Sequence, residues 1–193
     1  FYISPKAAKK PYNPLLGEFF RTQWQHPDGT TTFFVAEQTS HHPPVSSIYA
    51  CNRKAGWVGH GSLDFVTTFH GLSVSAGIRG TIHAKFTKWN EEYTFNFPMA
   101  LASGLYIGPL VMEIGGVVDF ECKQTKYKAK IEFKTMSMWS SANYKQIDGT
   151  ISGPEGVIYK INGNYGEELF VTDVRTNTKS SFIKIADIKK EVI

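Results

Sequence analysis

The chain has 193 residues, of which 41% are hydrophobic and 14% aromatic, and this balance excludes a disordered chain. Its net charge of +4 favours anionic partners such as phosphates or acidic lipid surfaces, but it falls short of the dense basic stripe of most nucleic-acid-binding proteins. Cys51 and Cys122 are too few and too far apart for a disulfide framework or a zinc ribbon. The aromatic share and the 17 glycines favour a β-rich domain.

The N-terminal stretch KKPYNPLLGEFF combines two lysines with two prolines and an amide. Lys10 offers a point charge, and Asn13 both donates and accepts hydrogen bonds, so the segment is suited to an anion. The alternative, which is commoner for lysine pairs, is a turn with solvated side chains. Pro14 fits the first position of a helical turn, which Gly17 would end early.

In EQTSHHPPVS, residues 37–46, two adjacent histidines precede two adjacent prolines. Pro43 pushes His42 towards an extended geometry, and neither proline can donate a ladder hydrogen bond, so regular pairing ends here. Such a break allows both imidazoles to turn onto one ligand at a strand end, and a phosphate suits two such donors. A strand-end cap with two surface histidines is the alternative. The local sequence leaves both open.

Alternation with a period of two residues dominates the rest of the chain and predicts half-buried strands of an antiparallel sheet. In YKAKIEFK, residues 127–134, the aromatic and aliphatic side chains share one face, and the lysines and the glutamate share the other. The same pattern recurs in TIHAKFT (81–87), EYTFNF (92–97), VDFECK (118–123) and VIYKI (157–161).

Turn signals separate these strands at the spacing of an up-and-down meander. They are HPDGT at 26–30, DGT at 148–150 and GPEG at 153–156. Successive strands need their edges hidden, and closure into a barrel of about ten strands does this and leaves room for a ligand. A two-sheet sandwich with a solid core fits the periodicity equally well.

The histidines match neither a metal site nor a nucleophile motif. Neighbouring residues on a regular strand point to opposite faces, so His41 and His42 cannot both ligate one ion from such a strand. The other histidines lack the spacing of zinc ligands: His26, His60, His70 and His83. The chain also contains no serine-nucleophile elbow, no His-Glu-x-x-His and no phosphate-binding loop. We therefore expect no metal, no cofactor and no catalytic residue.

EQTSHHPPVS closely resembles Glu-Gln-x-Ser-His-His-Pro-Pro, the signature of the oxysterol-binding-protein-related family. Upstream, KPYNPLLGE (residues 10–18) is similar to that family's Lys-Pro-x-Asn-Pro-x-Leu-Gly-Glu motif, and the two motifs occur in the family's order. Weaker similarity continues through EIGGVVDF and YKAKIEFK, so the resemblance covers nearly the whole chain.

The resemblance implies a mainly β fold, an incomplete antiparallel β-barrel that encloses a lipid, with little helix. It also implies a lipid-transfer protein that binds phosphatidylinositol 4-phosphate and exchanges it for a second lipid, phosphatidylserine or sterol, between cytosolic membrane faces. By motif position, His41 and His42 would hold the 4-phosphate. The phosphodiester side of the headgroup would be held by Lys10 and Asn13, with the backbone of Pro11 and Tyr12 between them.

On this resemblance, residues 1–193 would form one domain, the barrel part of the family's lipid-binding domain, with its lid and C-terminal part largely missing. We expect a cytoplasmic monomer that contacts membranes or membrane contact sites peripherally and binds no nucleic acid. The alternative is a phosphoinositide sensor or membrane tether that binds without extracting lipid. An enzyme is a third class, and the absence of a nucleophile motif weighs against it.

Overall fold

The computed structural model describes residues 12–104, 110–136 and 142–187. Within these ranges the chain is one 14-stranded antiparallel sheet with one short 3₁₀ helix, Ile185–Asp187. The strands are β1 (Phe19–Gln25), β2 (Thr31–His41), β3 (Pro44–Asn52), β4 (Trp57–Phe69), β5 (Ser73–Arg79), β6 (Ile82–Phe86), β7 (Glu91–Phe95), β8 (Met99–Ser103), β9 (Val111–Cys122), β10 (Tyr127–Phe133), β11 (Gln146–Gly153), β12 (Gly156–Asn164), β13 (Glu168–Asp173) and β14 (Lys179–Lys184). No helix in the described ranges is long and apolar enough to cross a membrane.

The strand order is an up-and-down meander in which two long strands are each interrupted. β5 and β6 lie end to end along β4, in one register that runs from the pair Phe69–Val74 to the pair Trp57–Phe86. β8 and β7 also lie end to end along β9, but the register shifts by one residue between the pair Met99–Gly115 and the pair Phe95–Phe120. In the described part of the chain the sheet is open between β1 and β14, and no second sheet packs on it. The expected mainly β fold, an incomplete antiparallel barrel, is therefore confirmed, and the sandwich is excluded.

The two faces of the sheet differ in chemistry, because paired residues on neighbouring strands share a face. The face we call the aromatic face carries these ring contacts, with centroids 5.0–6.4 Å apart: Phe20–Phe34, Trp24–Phe34, Phe86–Tyr93, Phe95–Phe120 and Phe133–Tyr165. The opposite, polar face carries one cross-strand row: Val35, Tyr49, His60, His83, Thr94, Glu121 and Lys128. The two-residue alternation predicted from the sequence thus places the ring contacts and this cross-strand row on opposite faces of the sheet.

The packed core lies on the aromatic face, where Ile114, Ile147, Ile161 and Tyr165 are buried. The Tyr165 hydroxyl accepts a hydrogen bond from the Ile114 backbone N–H at 3.2 Å, and burial raises the pKa of this phenol. Elsewhere in the described residues the same face is open: Phe20 is 61% exposed, Phe65 43% and Trp24 38%. A large part of the aromatic face is thus available to an apolar partner.

Two of the three turn signals are confirmed and one is wrong. HPDGT closes the β1–β2 hairpin, where the N–H of His26 donates to the Thr30 carbonyl, and GPEG joins β11 to β12. DGT instead lies inside β11. A Cβ on Gly149 would sit 2.8 Å from the Lys130 carbonyl oxygen, so this glycine permits close approach of β10 rather than a turn.

Candidate functional site

The two adjacent histidines lie at the tip of the β2–β3 hairpin. β2 ends at His41, which pairs with Pro44, and the chain reverses through His42 and Pro43. The Nδ1 atom of His41 is 3.3 Å from Nε2 of His42, and the two exposed rings meet edge to face with centroids 4.7 Å apart. Each ring keeps a second nitrogen, Nε2 of His41 and Nδ1 of His42, that this contact does not use. Neighbouring residues of a regular strand point to opposite faces, but His42 lies in the turn, so both imidazoles can face one ligand.

A β-bulge at Thr39 decides which face His41 occupies. The β2–β3 register shifts by one residue between Gln38 and Ser40, so that His41 lies opposite Pro44. Pro44 shares the aromatic face, because it is two residues from Ser46 and four from Ile48 on the same strand. Without the bulge, the alternation of β2 would place His41 on the polar face.

The side chain of Gln38 stabilises this bulge. Gln38 is buried, its Nε2 donates to the Ser40 carbonyl at 2.8 Å, and its Oε1 accepts from the Ser46 hydroxyl at 2.5 Å. The Gln38 amide thus binds Ser40, which follows the bulge on β2, and Ser46, which lies on β3. We did not identify Gln38 as functional from the sequence, although it stands in the quoted signature.

The second motif forms a tight turn instead of the expected helical turn. The N–H of Glu18 donates to the Leu15 carbonyl at 2.9 Å, and the Glu18 carboxylate accepts from the Leu15 N–H at 2.8 Å. Gly17 has a φ of 78°, a left-handed conformation that ends any helix begun at Pro14. The helical turn predicted after Asn13 is therefore wrong.

Two backbone hydrogen bonds fasten this turn to the histidine motif. The N–H of Gly17 donates to the Gln38 carbonyl at 2.9 Å, and the N–H of Gln38 donates to the Glu18 carbonyl at 2.9 Å. β1 then continues the pairing from Phe19 opposite Glu37. Two motifs that 18 residues (19–36) separate in the sequence therefore meet at one end of the sheet.

The remaining predicted site residues are only partly described. Tyr12 and Asn13 are exposed and precede the Leu15–Glu18 turn, from which Pro14 separates them. Lys10 and Pro11 lie outside the described residues. The structure thus brings His41, His42 and the turn after Asn13 together around Gln38, and their binding of a phosphate stays a prediction.

A second histidine pair lies on the polar face, away from the hairpin tip. The rings of His60 and His83 stack with centroids 5.2 Å apart, and Nδ1 of His83 is 3.1 Å from a Glu92 carboxylate oxygen. In the described ranges, no three His, Cys, Asp or Glu side chains are grouped in a way that could hold a metal ion. This pair provides a matched control for experiments on His41 and His42.

The statistical model of the oxysterol-binding protein family matches residues 1–192. The chain belongs to this family. It is 42% identical, over 175 residues, to oxysterol-binding protein-related protein 5 of Mus musculus, covering 90% of the chain and 20% of that relative. The family resemblance drawn from the two motifs is confirmed.

Solved structures of the family share the fold. The Osh1 ORD domain in complex with cholesterol matches with a TM-score of 0.72 and 26% identity, over 86% of the present chain and 38% of its own. The Osh3 ORD of Saccharomyces cerevisiae in complex with PI(4)P matches with a TM-score of 0.72 and 22% identity, over 89% of the present chain and 44% of its own. The chain therefore spans about a fifth of its similar relative and less than half of these domains.

Proposed function

We propose that this chain is the lipid-binding part of a protein that carries phosphatidylinositol 4-phosphate between cytosolic membrane faces in exchange for a second lipid. His41 and His42 hold the 4-phosphate, and Lys10, Pro11, Tyr12 and Asn13 hold the phosphodiester side. One observation carries the proposal: the hydrogen bonds between Gln38 and the Leu15–Glu18 turn fasten the two motifs together next to the paired imidazoles. No covalent step is required.

The headgroup and the acyl chains make different demands on the molecule. Each phosphate charge paired with a cation at about 4 Å gains on the order of 4 kcal/mol at an effective dielectric of 20, before desolvation. Each buried methylene gains about 0.8 kcal/mol, so the acyl chains need an apolar surface. His41 lies on the aromatic face, and a lipid held there by its headgroup meets that surface directly.

The second lipid is phosphatidylserine or a sterol. The complexes of related domains with cholesterol and with PI(4)P support the view that one fold of this kind accommodates both a sterol and a phosphoinositide. In such an exchange the headgroup site recognises the phosphoinositide. The aromatic face binds both ligands and selects them mainly by the volume of their apolar parts.

The proposal is tested by transfer of fluorescent phosphatidylinositol 4-phosphate between liposomes. In the complete protein, His41→Ala with His42→Ala is expected to reduce the transfer rate by at least about tenfold, because the 4-phosphate loses both donors. The matched control, His60→Ala with His83→Ala, removes the other contacting imidazole pair, which lies on the polar face, and is expected to transfer like the parent. Equal rates for parent and hairpin variant contradict the headgroup role.

A sensor or tether gives a different result in the same preparation. Native mass spectrometry of protein re-isolated from the liposomes detects a bound lipid if the protein extracts it. A protein that binds liposomes and returns without lipid is a sensor or tether, and the transfer proposal is then wrong.

A further inference from the structure

The β4–β5 hairpin presents two large apolar side chains at its tip. Phe69 is 61% exposed and Leu72 is 58% exposed. The tip is held in shape by the N–H of His70, which donates to the Ser73 carbonyl at 2.8 Å, and by a 2.9 Å hydrogen bond between His70 Nε2 and the buried Ser75 hydroxyl. The two exposed apolar groups are thus features of an ordered hairpin.

This hairpin carries no formal charge over a long stretch. From Phe65 to Ile78, FVTTFHGLSVSAGI contains no Asp, Glu, Lys or Arg. A third exposed apolar side chain, that of Met112 (51%), shares a cross-strand row with Phe69 through Val74 and Ala102. An uncharged apolar tip avoids the cost of bringing an ionised group into the hydrocarbon boundary of a bilayer.

The tip lies at the same end of the sheet as the histidine hairpin. β2 and β4 both run towards this end, and the β3–β4 pairing finishes with Val45 opposite Asp64, next to the pair His41–Pro44. β4 continues five residues further, to Phe69. At a rise of about 3.3 Å per residue, the tip projects roughly 16 Å beyond the level of Asp64.

We propose that the tip of the β4–β5 hairpin, Phe69 to Leu72, inserts into the surface of a lipid bilayer. The inference rests on the proposed lipid-binding function: a lipid held at His41 and His42 reaches that site only when this end of the sheet meets a membrane. The occupant is therefore the bilayer, and insertion of Phe69 and Leu72 brings the histidine hairpin to the headgroup layer.

Vesicle flotation with the complete protein tests this inference. Phosphatidylcholine vesicles with and without phosphatidylinositol 4-phosphate are compared for the parent, for Phe69→Asp with Leu72→Asp, and for Trp89→Asp. Trp89 is 60% exposed in the turn between β6 and β7, at the opposite end of the sheet. We expect the tip variant to bind both vesicle types at least about tenfold more weakly than the parent, and Trp89→Asp to bind like the parent.

Loading of phosphatidylinositol 4-phosphate from detergent micelles separates this inference from the proposed function. We expect Leu72→Asp alone to load like the parent, because Leu72 lies in the turn beyond the paired strands and not on the aromatic face. If the parent does not load lipid, the proposed function fails, whereas a loss of vesicle binding confined to the tip variant still supports insertion. Unchanged vesicle binding by the tip variant overturns the inference.

A second measurement does not depend on an acidic substitution. An environment-sensitive fluorophore on Leu72→Cys is expected to shift its emission to the blue when vesicles are added, and one on Trp89→Cys is not. An emission from Leu72→Cys that is blue before vesicles are added and does not change means that another part of the protein covers the tip, and overturns the inference.

Discussion

A single buried amide, that of Gln38, is central to the hairpin that carries the candidate site. Gln38→Ala leaves the Ser40 carbonyl and the Ser46 hydroxyl without these partners and removes the support of the bulge. Because each of these part-buried hydrogen bonds contributes about 0.5–1.5 kcal/mol, we expect the free energy of unfolding to fall by about 1–3 kcal/mol. Urea unfolding of the parent and of Gln38→Ala measures this change in the free energy of unfolding.

The control for this prediction is Gln23→Ala. Gln23 is exposed on β1, and its loss is expected to change the free energy of unfolding by no more than about 0.5 kcal/mol. A Gln38→Ala protein as stable as the Gln23→Ala protein shows that the two side-chain hydrogen bonds contribute little, and that the bulge is maintained by the backbone alone.

At the residue scale, the sequence located the strand end that carries the two histidines but not the geometry of the hairpin there. Two histidines before two prolines indicated a strand end and a possible anion site, because proline restricts its neighbour and lacks a donor. The bulge at Thr39 was not predictable, since it depends on the register of β2 against β3, which a pattern within one strand does not contain. The role of Gln38 depends on that same register.

At the scale of the strand, one glycine allows β5 to pass into β6. Gly80 has a φ of 144°, and a Cβ added there would collide with the backbone carbonyl oxygen of Ser62 on β4. Gly80→Ala therefore forces the β4 backbone to move and also strains the backbone at residue 80. We expect it to lower the free energy of unfolding by about 3 kcal/mol or more.

Gly71 provides the comparison for Gly80. It also has a positive φ, 81°, but a Cβ there would meet no atom within 4 Å. Gly71→Ala is expected to cost only about 1–2 kcal/mol, the strain of a left-handed residue with a side chain. Denaturant unfolding of both variants measures the difference, and equal losses would mean that conformational strain, and not the contact with β4, dominates at Gly80.

Strands were the elements that the sequence predicted best. Alternation of apolar and polar side chains in the sequence located β6, β7, β9, β10 and β12. The turn predicted at DGT was wrong, because an Asp-Gly pair occurs both in turns and where two strands approach closely. Gly149 faces the Lys130 carbonyl across the sheet. The interruption between β5 and β6 likewise depends on a contact across the sheet, that of Gly80 with Ser62 on β4.

At the scale of the whole molecule, periodicity did not distinguish a barrel from a sandwich, because both place alternate residues on one buried face. The structure distinguishes them through pairing: each successive strand joins the same sheet. One consequence is that the ring contacts of the aromatic face, from Phe20 on β1 to Phe133 on β10, lie on a single continuous face, which starts beside the histidine hairpin.

The aromatic face is expected to contact the acyl chains of a bound lipid, and Trp24 reports on it. Trp24 lies on this face with its ring 6.1 Å from that of Phe34, whereas Tyr49 lies on the polar face. Two variants of the complete protein are compared: one retains only Trp24, and the other carries its only tryptophan in Tyr49→Trp.

Both variants are loaded with a phosphoinositide whose acyl chains are brominated, because bromine quenches tryptophan on contact. We expect strong quenching of the Trp24 emission and little change for Tyr49→Trp, since a lipid held at His41 lies on the aromatic side of the sheet. Because each buried methylene gains about 0.8 kcal/mol, the acyl chains are strongly driven onto the exposed part of that face. Quenching of Tyr49→Trp and not of Trp24 would place the lipid on the polar side and contradict the assignment of the faces.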